Sequence, residues 1–95
     1  MTNRLKNKNA IITGSAAGIG FETAQLFGQE GANVTIMDIS EEAANKAAEK
    51  LIKEGIIANA YALDVTDYNA VQTQFKIAIE HYQGKIDILV NNAGI

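Results

Sequence analysis

The sequence contains no cysteine and no proline, and its only histidine is His81. Without cysteine there are no disulfides and no thiolate chemistry. With one histidine, a zinc site would have to be built from carboxylates alone, which disfavours it. Charge of one sign is also scarce. The formal net charge is -3, and no basic stretch is long enough to track a phosphate backbone, so nucleic acid is not an expected partner. The N-terminal run "MTNRLKNKN" has no apolar signal region, and no apolar stretch is long enough to span a bilayer. These absences lead to the expectation of a cytoplasmic protein that does not enter membranes. What is present is 47% hydrophobic residues in 95, enough for the packed core of one small domain.

Apolar runs alternate with helical patterns. "NAIIT" reads as a short buried strand, and "GIGFETAQLFGQEG" as a helix with Ala24, Leu26 and Phe27 among its apolar positions. "ANVTIMDI" is a second strand. "SEEAANKAAEKLIKEG" is the clearest helix: Ser40 suits its N-cap, Glu41 and Glu42 suit the positive end of its dipole, and Gly55 suits its stop. Ala44, Ala47, Ala48, Leu51 and Ile52 would form its apolar face. "IIANAYALDV" is a third strand. "TDYNAVQTQFKIAIEHYQG" is a third helix, with Tyr68, Val71, Phe75, Ala78, Ile79 and Tyr82 at helical spacing, and "KIDILVNN" is a fourth strand. The order β-α-β-α-β-α-β predicts an α/β fold: a parallel sheet with right-handed crossovers and helices on its faces.

Three glycines separate the first strand from the first helix. Gly14 would make the turn out of the strand, Gly18 would leave room for a pyrophosphate, and Gly20 would let the helix pack close to the sheet. Amides at a helix N-terminus carry partial positive charge and attract phosphate. The alternative is a glycine turn with a purely structural role. A Walker-type loop is excluded, because no Gly-Lys-Ser/Thr follows. Asp38 closes the second strand, where a carboxylate can accept hydrogen bonds from an adenosine ribose and would repel a 2′-phosphate. Its alternative is a capping or loop aspartate. No lysine or arginine sits in the glycine loop, where Ala17 stands, so NAD is expected over NADP.

"TGSAAGIG" at 13–20 and "NNAG" at 91–94 resemble the two N-terminal motifs of the short-chain dehydrogenase/reductase family, and "LDV" at 63–65 resembles its adenine-framing segment. "KIDILVNNAGI" is similar to 3-oxoacyl-carrier-protein reductases and to sugar and diol dehydrogenases. With this resemblance the α/β fold is expected to be of Rossmann type, its parallel sheet in the order 3-2-1-4. The resemblance implies that Gly14, Ser15, Gly18, Ile19 and Gly20 line the pyrophosphate and ribose. It implies that Asp38 holds the adenosine ribose, Asp64 meets the adenine amino group and Val65 packs on the adenine. Asn91, with the backbone of Ala93 and Gly94, would sit beside the nicotinamide ribose; structural pairing of strand ends is the alternative for Asn91 and Asn92.

The implied activity is hydride transfer between a nicotinamide cofactor and a small alcohol or carbonyl substrate, in a homo-oligomer. Family catalysis uses a serine and a Y-x-x-x-K pair located beyond the NNAG segment. Four residues after Tyr61, Tyr68 and Tyr82 stand Val65, Gln72 and Ile86, so no catalytic residue is assigned here. His81 is expected to be a solvated residue near a helix end. Residues 1–95 are thus expected to be the N-terminal portion of a single dinucleotide-binding domain. The alternative expectation is a truncated, inactive nucleotide-binding chain that self-associates through the apolar edge Ile86–Val90.

Overall fold

In the computed structural model, which describes residues 3–92, seven elements follow one another as the sequence pattern predicts. They are β1 (Asn9–Thr13), α1 (Gly18–Gln29), β2 (Asn33–Asp38), α2 (Glu41–Lys53), β3 (Ala58–Ala62), α3 (Tyr68–His81) and β4 (Ile88–Asn91). The strands form one parallel sheet in the order β3-β2-β1-β4. β1 is central and buried along its whole length, consistent with a parallel strand covered on both faces. The first two crossovers step away from β1 in one direction and the third returns to its other side. This places the reversal of strand order between β1 and β4, where doubly wound sheets open a crevice at their carboxyl ends.

The period-2 alternation of the strands sorts the core into two layers. Ala10, Ile12, Val34 and Ile36 face α1 and α2, and pack with Ala24, Ala44, Ala47, Ala48 and Leu51. Ile11 and Met37 face the opposite way, toward Ala78, Val71 and Phe75 of α3 and toward Leu63. Helix α2 supplies mainly alanines, so it can lie close to the sheet. Its expected apolar face extends one residue too far: Ile52 is half exposed, while Leu51 is buried.

Helix α3 covers its layer less completely. Of the stripe expected from spacing, Ala78 is buried, Val71, Phe75 and Tyr82 are partly buried, and Tyr68 and Ile79 are exposed. Tyr82, just past the helix, reaches the sheet. Its hydroxyl lies 2.7 Å from Thr35 Oγ1, and Thr35 in turn lies 2.6 Å from Asn59 Oδ1. Asn59 Oδ1 can only accept, so Thr35 donates to it and accepts from Tyr82. Burial holds the Tyr82 phenol above its ordinary pKa, partly offset by the hydrogen bond to Thr35. No helix among the described residues is long and apolar enough to cross a membrane. At the sheet edge, β4 pairs with β1, and Leu89 projects outward, exposed.

Candidate nucleotide site

The carboxyl ends of all four strands converge on one rim. After β1 the chain turns at Gly14, with φ +62°, and enters α1 through Gly18, also at φ +62°. An L-residue is strained in that region, so the backbone itself favours glycine at both positions. A Cβ built on Gly18 meets nothing within 4 Å, so the space before it is open. Gly20 is different. A Cβ there would collide with the Gly14 carbonyl oxygen and come within 2.8 Å of Asn92 Nδ2. Gly20 therefore lets α1 dock onto the loop that precedes it.

Helix α1 begins without a side-chain cap. Its N-cap is Ala17 in an extended conformation, and no acidic residue stands in the first turn. Its leading amides are the orphan donors of any helix start, and they face the same rim. Ile19, just inside the helix, is exposed. Beside them lies a cleft of about 240 Å³ between the ends of β2 and β3. Asp38 and Ile39 line one side, Leu63, Asp64 and Val65 the other, and Met37 is in its lining. Asp38 Oδ2 accepts a hydrogen bond from the Ala16 amide at 3.1 Å. Val65 and Ile39 are both exposed at the cleft. Ile39 was not singled out from the sequence; its position directly after the strand-closing aspartate is the signal that could have found it.

Asp64 is held by its neighbour. Its Oδ1 accepts from the Thr66 amide at 2.9 Å and the Thr66 hydroxyl at 2.6 Å, and these bonds lower its pKa below the usual aspartate value. At the other end of the rim, Thr13 Oγ1 lies 3.1 Å from Asn91 Oδ1 and accepts from the Asn92 amide at 3.0 Å. Asn92 Nδ2 donates to the Gly14 carbonyl at 3.0 Å. The two asparagines are thereby separated. Asn92 ties the end of β4 to the glycine loop, whereas Asn91 is exposed at the rim. Ala93 and Gly94 lie outside the described residues.

Ser15 departs from what the resemblance implied. Its side chain is fully buried rather than lining the loop's outer face. Its hydroxyl donates to the Ile12 carbonyl at 2.6 Å and accepts from the Met37 amide at 3.2 Å. The chain turns so sharply at Gly14 that the next side chain points back between β1 and β2. His81 is exposed at the end of α3, away from the rim, and stacks edge-on against Tyr82 at 4.9 Å. Among the described residues no group of histidines and carboxylates could hold a metal ion.

The family model described as short chain dehydrogenase matches residues 8–95. The chain belongs to the short-chain dehydrogenase family. It is 48% identical over 94 residues to the 5-keto-D-gluconate 5-reductase of Escherichia coli strain K12, covering 96% of this chain and 35% of that protein. It is 45% identical over 96 residues to the 3-oxoacyl-acyl-carrier-protein reductase of Chlamydia muridarum, covering 100% of this chain and 38% of that protein. A crystal structure of hydroxysteroid dehydrogenase from Escherichia coli superposes with a TM-score of 0.90 at 43% identity, covering 97% of this chain and 39% of that one. The chain thus spans between 33% and 38% of the length of these and similar curated relatives. The short-chain dehydrogenase family is one of oxidoreductases, and its members use nicotinamide cofactors.

Proposed function

We propose that residues 1–95 form the N-terminal portion of a single Rossmann-fold domain that binds NAD in preference to NADP, within an oxidoreductase acting on a small alcohol or carbonyl substrate. The residues present fit such a cofactor. The open space before Gly18 and the uncapped start of α1 suit a pyrophosphate. Gly14, Ile19 and Gly20 frame that position, with Gly20 holding the helix in place. Asp38 suits an adenosine ribose. Asp64 and Val65, facing Ile39, suit an adenine, and Asn91 with Ala93 and Gly94 suits the nicotinamide side. When bound, the nicotinamide supplies the hydride; the protein supplies binding, orientation and electrostatics.

The preference for NAD rests on one observation. The Asp38 carboxylate stands in the wall of the cleft, with one oxygen held by the Ala16 amide. Among the described residues the cleft lining contains no lysine or arginine. A 2′-phosphate there would meet a like charge without compensation, while ribose hydroxyls would find an acceptor. Titration with both dinucleotides tests this. NAD should bind more tightly, and Asp38→Ala should narrow the gap by about 1–3 kcal/mol, the scale of a charge-assisted hydrogen bond plus relief of repulsion. Equal affinities in the unmodified protein would sink the assignment.

A small alcohol or carbonyl substrate and a homo-oligomeric assembly belong to the same proposal, with the family relationship as their support, and a cytoplasmic location is proposed with them. The 95 residues contain no Y-x-x-x-K, so a polypeptide of these residues alone should bind cofactor without turning over alcohols or ketones. Nicotinamide absorbance with a panel of such substrates is the check, and turnover surviving rigorous purification would contradict it.

A further inference from the structure

The hydroxyl of Ser15 is buried beneath the nucleotide rim, and its partners are all backbone. It donates to the Ile12 carbonyl at 2.6 Å and accepts from the Met37 amide at 3.2 Å. The Ser15 amide also donates to the Met37 carbonyl at 3.3 Å. Both polar backbone groups of Met37 therefore end on Ser15. Regular pairing of β1 with β2 stops at Thr13 opposite Met37, and Gly14 then turns the chain out of the sheet. Past that turn, Ser15 keeps the loop in register with β2.

The residue after Ser15 meets the residue after Met37. The Ala16 amide donates to Asp38 Oδ2 at 3.1 Å, and on the other flank the Asp38 carbonyl accepts from the Leu63 amide at 2.8 Å. The carboxylate is thus fixed through the loop and its backbone through β3. A carboxylate that must accept from two adjacent ribose hydroxyls gains from being held in one orientation, because the ordering is completed before the ligand arrives. Repulsion of a 2′-phosphate depends on charge and much less on orientation. A loosened Asp38 should therefore lose NAD affinity while changing NADP affinity little.

We propose that Ser15 is a positioning residue for cofactor selectivity: through its clasp on Met37 it sets the Ala16 amide against Asp38 and so fixes the carboxylate that discriminates NAD from NADP. The inference rests on the reading of Asp38 given above. It differs from the role implied by the family resemblance, because Ser15 acts from beneath the rim and touches no ligand.

The test is a double-mutant cycle on the whole protein, with NAD and NADP titrated separately. Ser15→Ala should narrow the ratio of the two affinities by about threefold to tenfold, in the lower part of the range for directly coupled groups. In an Asp38→Ala background it should narrow it no further. A ratio unchanged by Ser15→Ala, including an equal weakening of both cofactors, overturns the proposal while leaving the Asp38 reading intact. So does the same narrowing with and without Asp38. A ratio unchanged by Asp38→Ala overturns the Asp38 reading itself, and the proposal with it. Should Ser15→Ala fail to fold, amide exchange in the Asp38→Ala protein decides. Exchange at Ala16 should accelerate while Met37, held by the Ser15 hydroxyl, stays protected. Unchanged exchange at Ala16 would show that Asp38 and the loop are not coupled.

Discussion

At the start of α2 the Ser40 hydroxyl accepts from the Ala43 amide at 3.1 Å, with Glu41 and Glu42 in the first turn. At the start of α3, Asp67 Oδ1 accepts from the Ala70 amide at 3.1 Å. At the start of α1 stands Ala17, which has no side-chain oxygen, followed by glycines at 18 and 20. All three helices follow a strand of the same sheet and face the same rim, yet two close their N-termini with their own side chains and one does not. A cap satisfies orphan amides within the protein; its absence leaves their donors and their share of the helix dipole to something else. Here the open terminus is also the one where backbone strain and close packing demand glycine. The difference separates helix ends closed by their own side chains from the one assigned to the pyrophosphate in the proposed function.

The largest effect should come from the glycine that packs α1. Gly20→Val would drive its side chain into the Gly14 carbonyl, which a backbone atom can relieve only by moving. A loss of about 3 kcal/mol is expected, with α1 displaced, read by urea unfolding. Gly18→Val separates the other half of the comparison. Its side chain meets open space, so the loss should be confined to conformational strain at φ +62°, about 1–2 kcal/mol, while dinucleotide binding is lost. Circular dichroism beside a binding assay distinguishes the two. Retained affinity with an unchanged helix signal would show that the loop does not cradle phosphate.

At the capped ends the pattern should reverse. Ser40→Ala and Asp67→Ala should each destabilise by about 1 kcal/mol and leave NAD affinity unaltered. Smaller effects should follow pH. The Asp64 carboxyl lies below its usual pKa because Thr66 donates to it, so its contribution is present above the ordinary aspartate pKa and fades as pH falls through the folded value. Thr66→Ala should reduce that acid dependence, because the hydroxyl bond is lost and the amide bond stays. The Tyr82 phenol lies above its usual pKa through burial, so its contribution is present below the ordinary tyrosine pKa and is lost as pH rises through the folded value. Tyr82→Phe should flatten the alkaline limb of thermal stability.

Much of this was legible in sequence because the signals are local or periodic. Strand-helix alternation predicted the parallel sheet, the family resemblance added its order, and Ser40 followed by two glutamates marked the start of α2. Features that depend on where a turn throws a side chain were not legible. By resemblance Ser15 would line the pyrophosphate, yet the turn at Gly14 buries its side chain between strands. Asn91 and Asn92 are chemically identical, and only the strand pleat decides which one ties down Gly14 and which remains at the rim. Helical spacing alone placed Tyr68 and Ile79 in the core stripe of α3. Their exposure reflects how α3 lies on its layer, which spacing does not specify.

The most direct test gives α1 the cap it lacks. Ala17 already has the extended backbone of an N-cap residue, at φ -155° and ψ 169°, so Ala17→Asp places a carboxylate beside the leading amides without remodelling the loop. Unfolding and NAD titration on this one variant should move in opposite directions: stability should rise by about 0.5–1 kcal/mol as the orphan donors gain an acceptor, and NAD affinity should fall at least tenfold as the carboxylate occupies the position of the pyrophosphate. A variant that gains stability and binds NAD as tightly as before would contradict the account, because the amides of α1 would then not be what holds the cofactor.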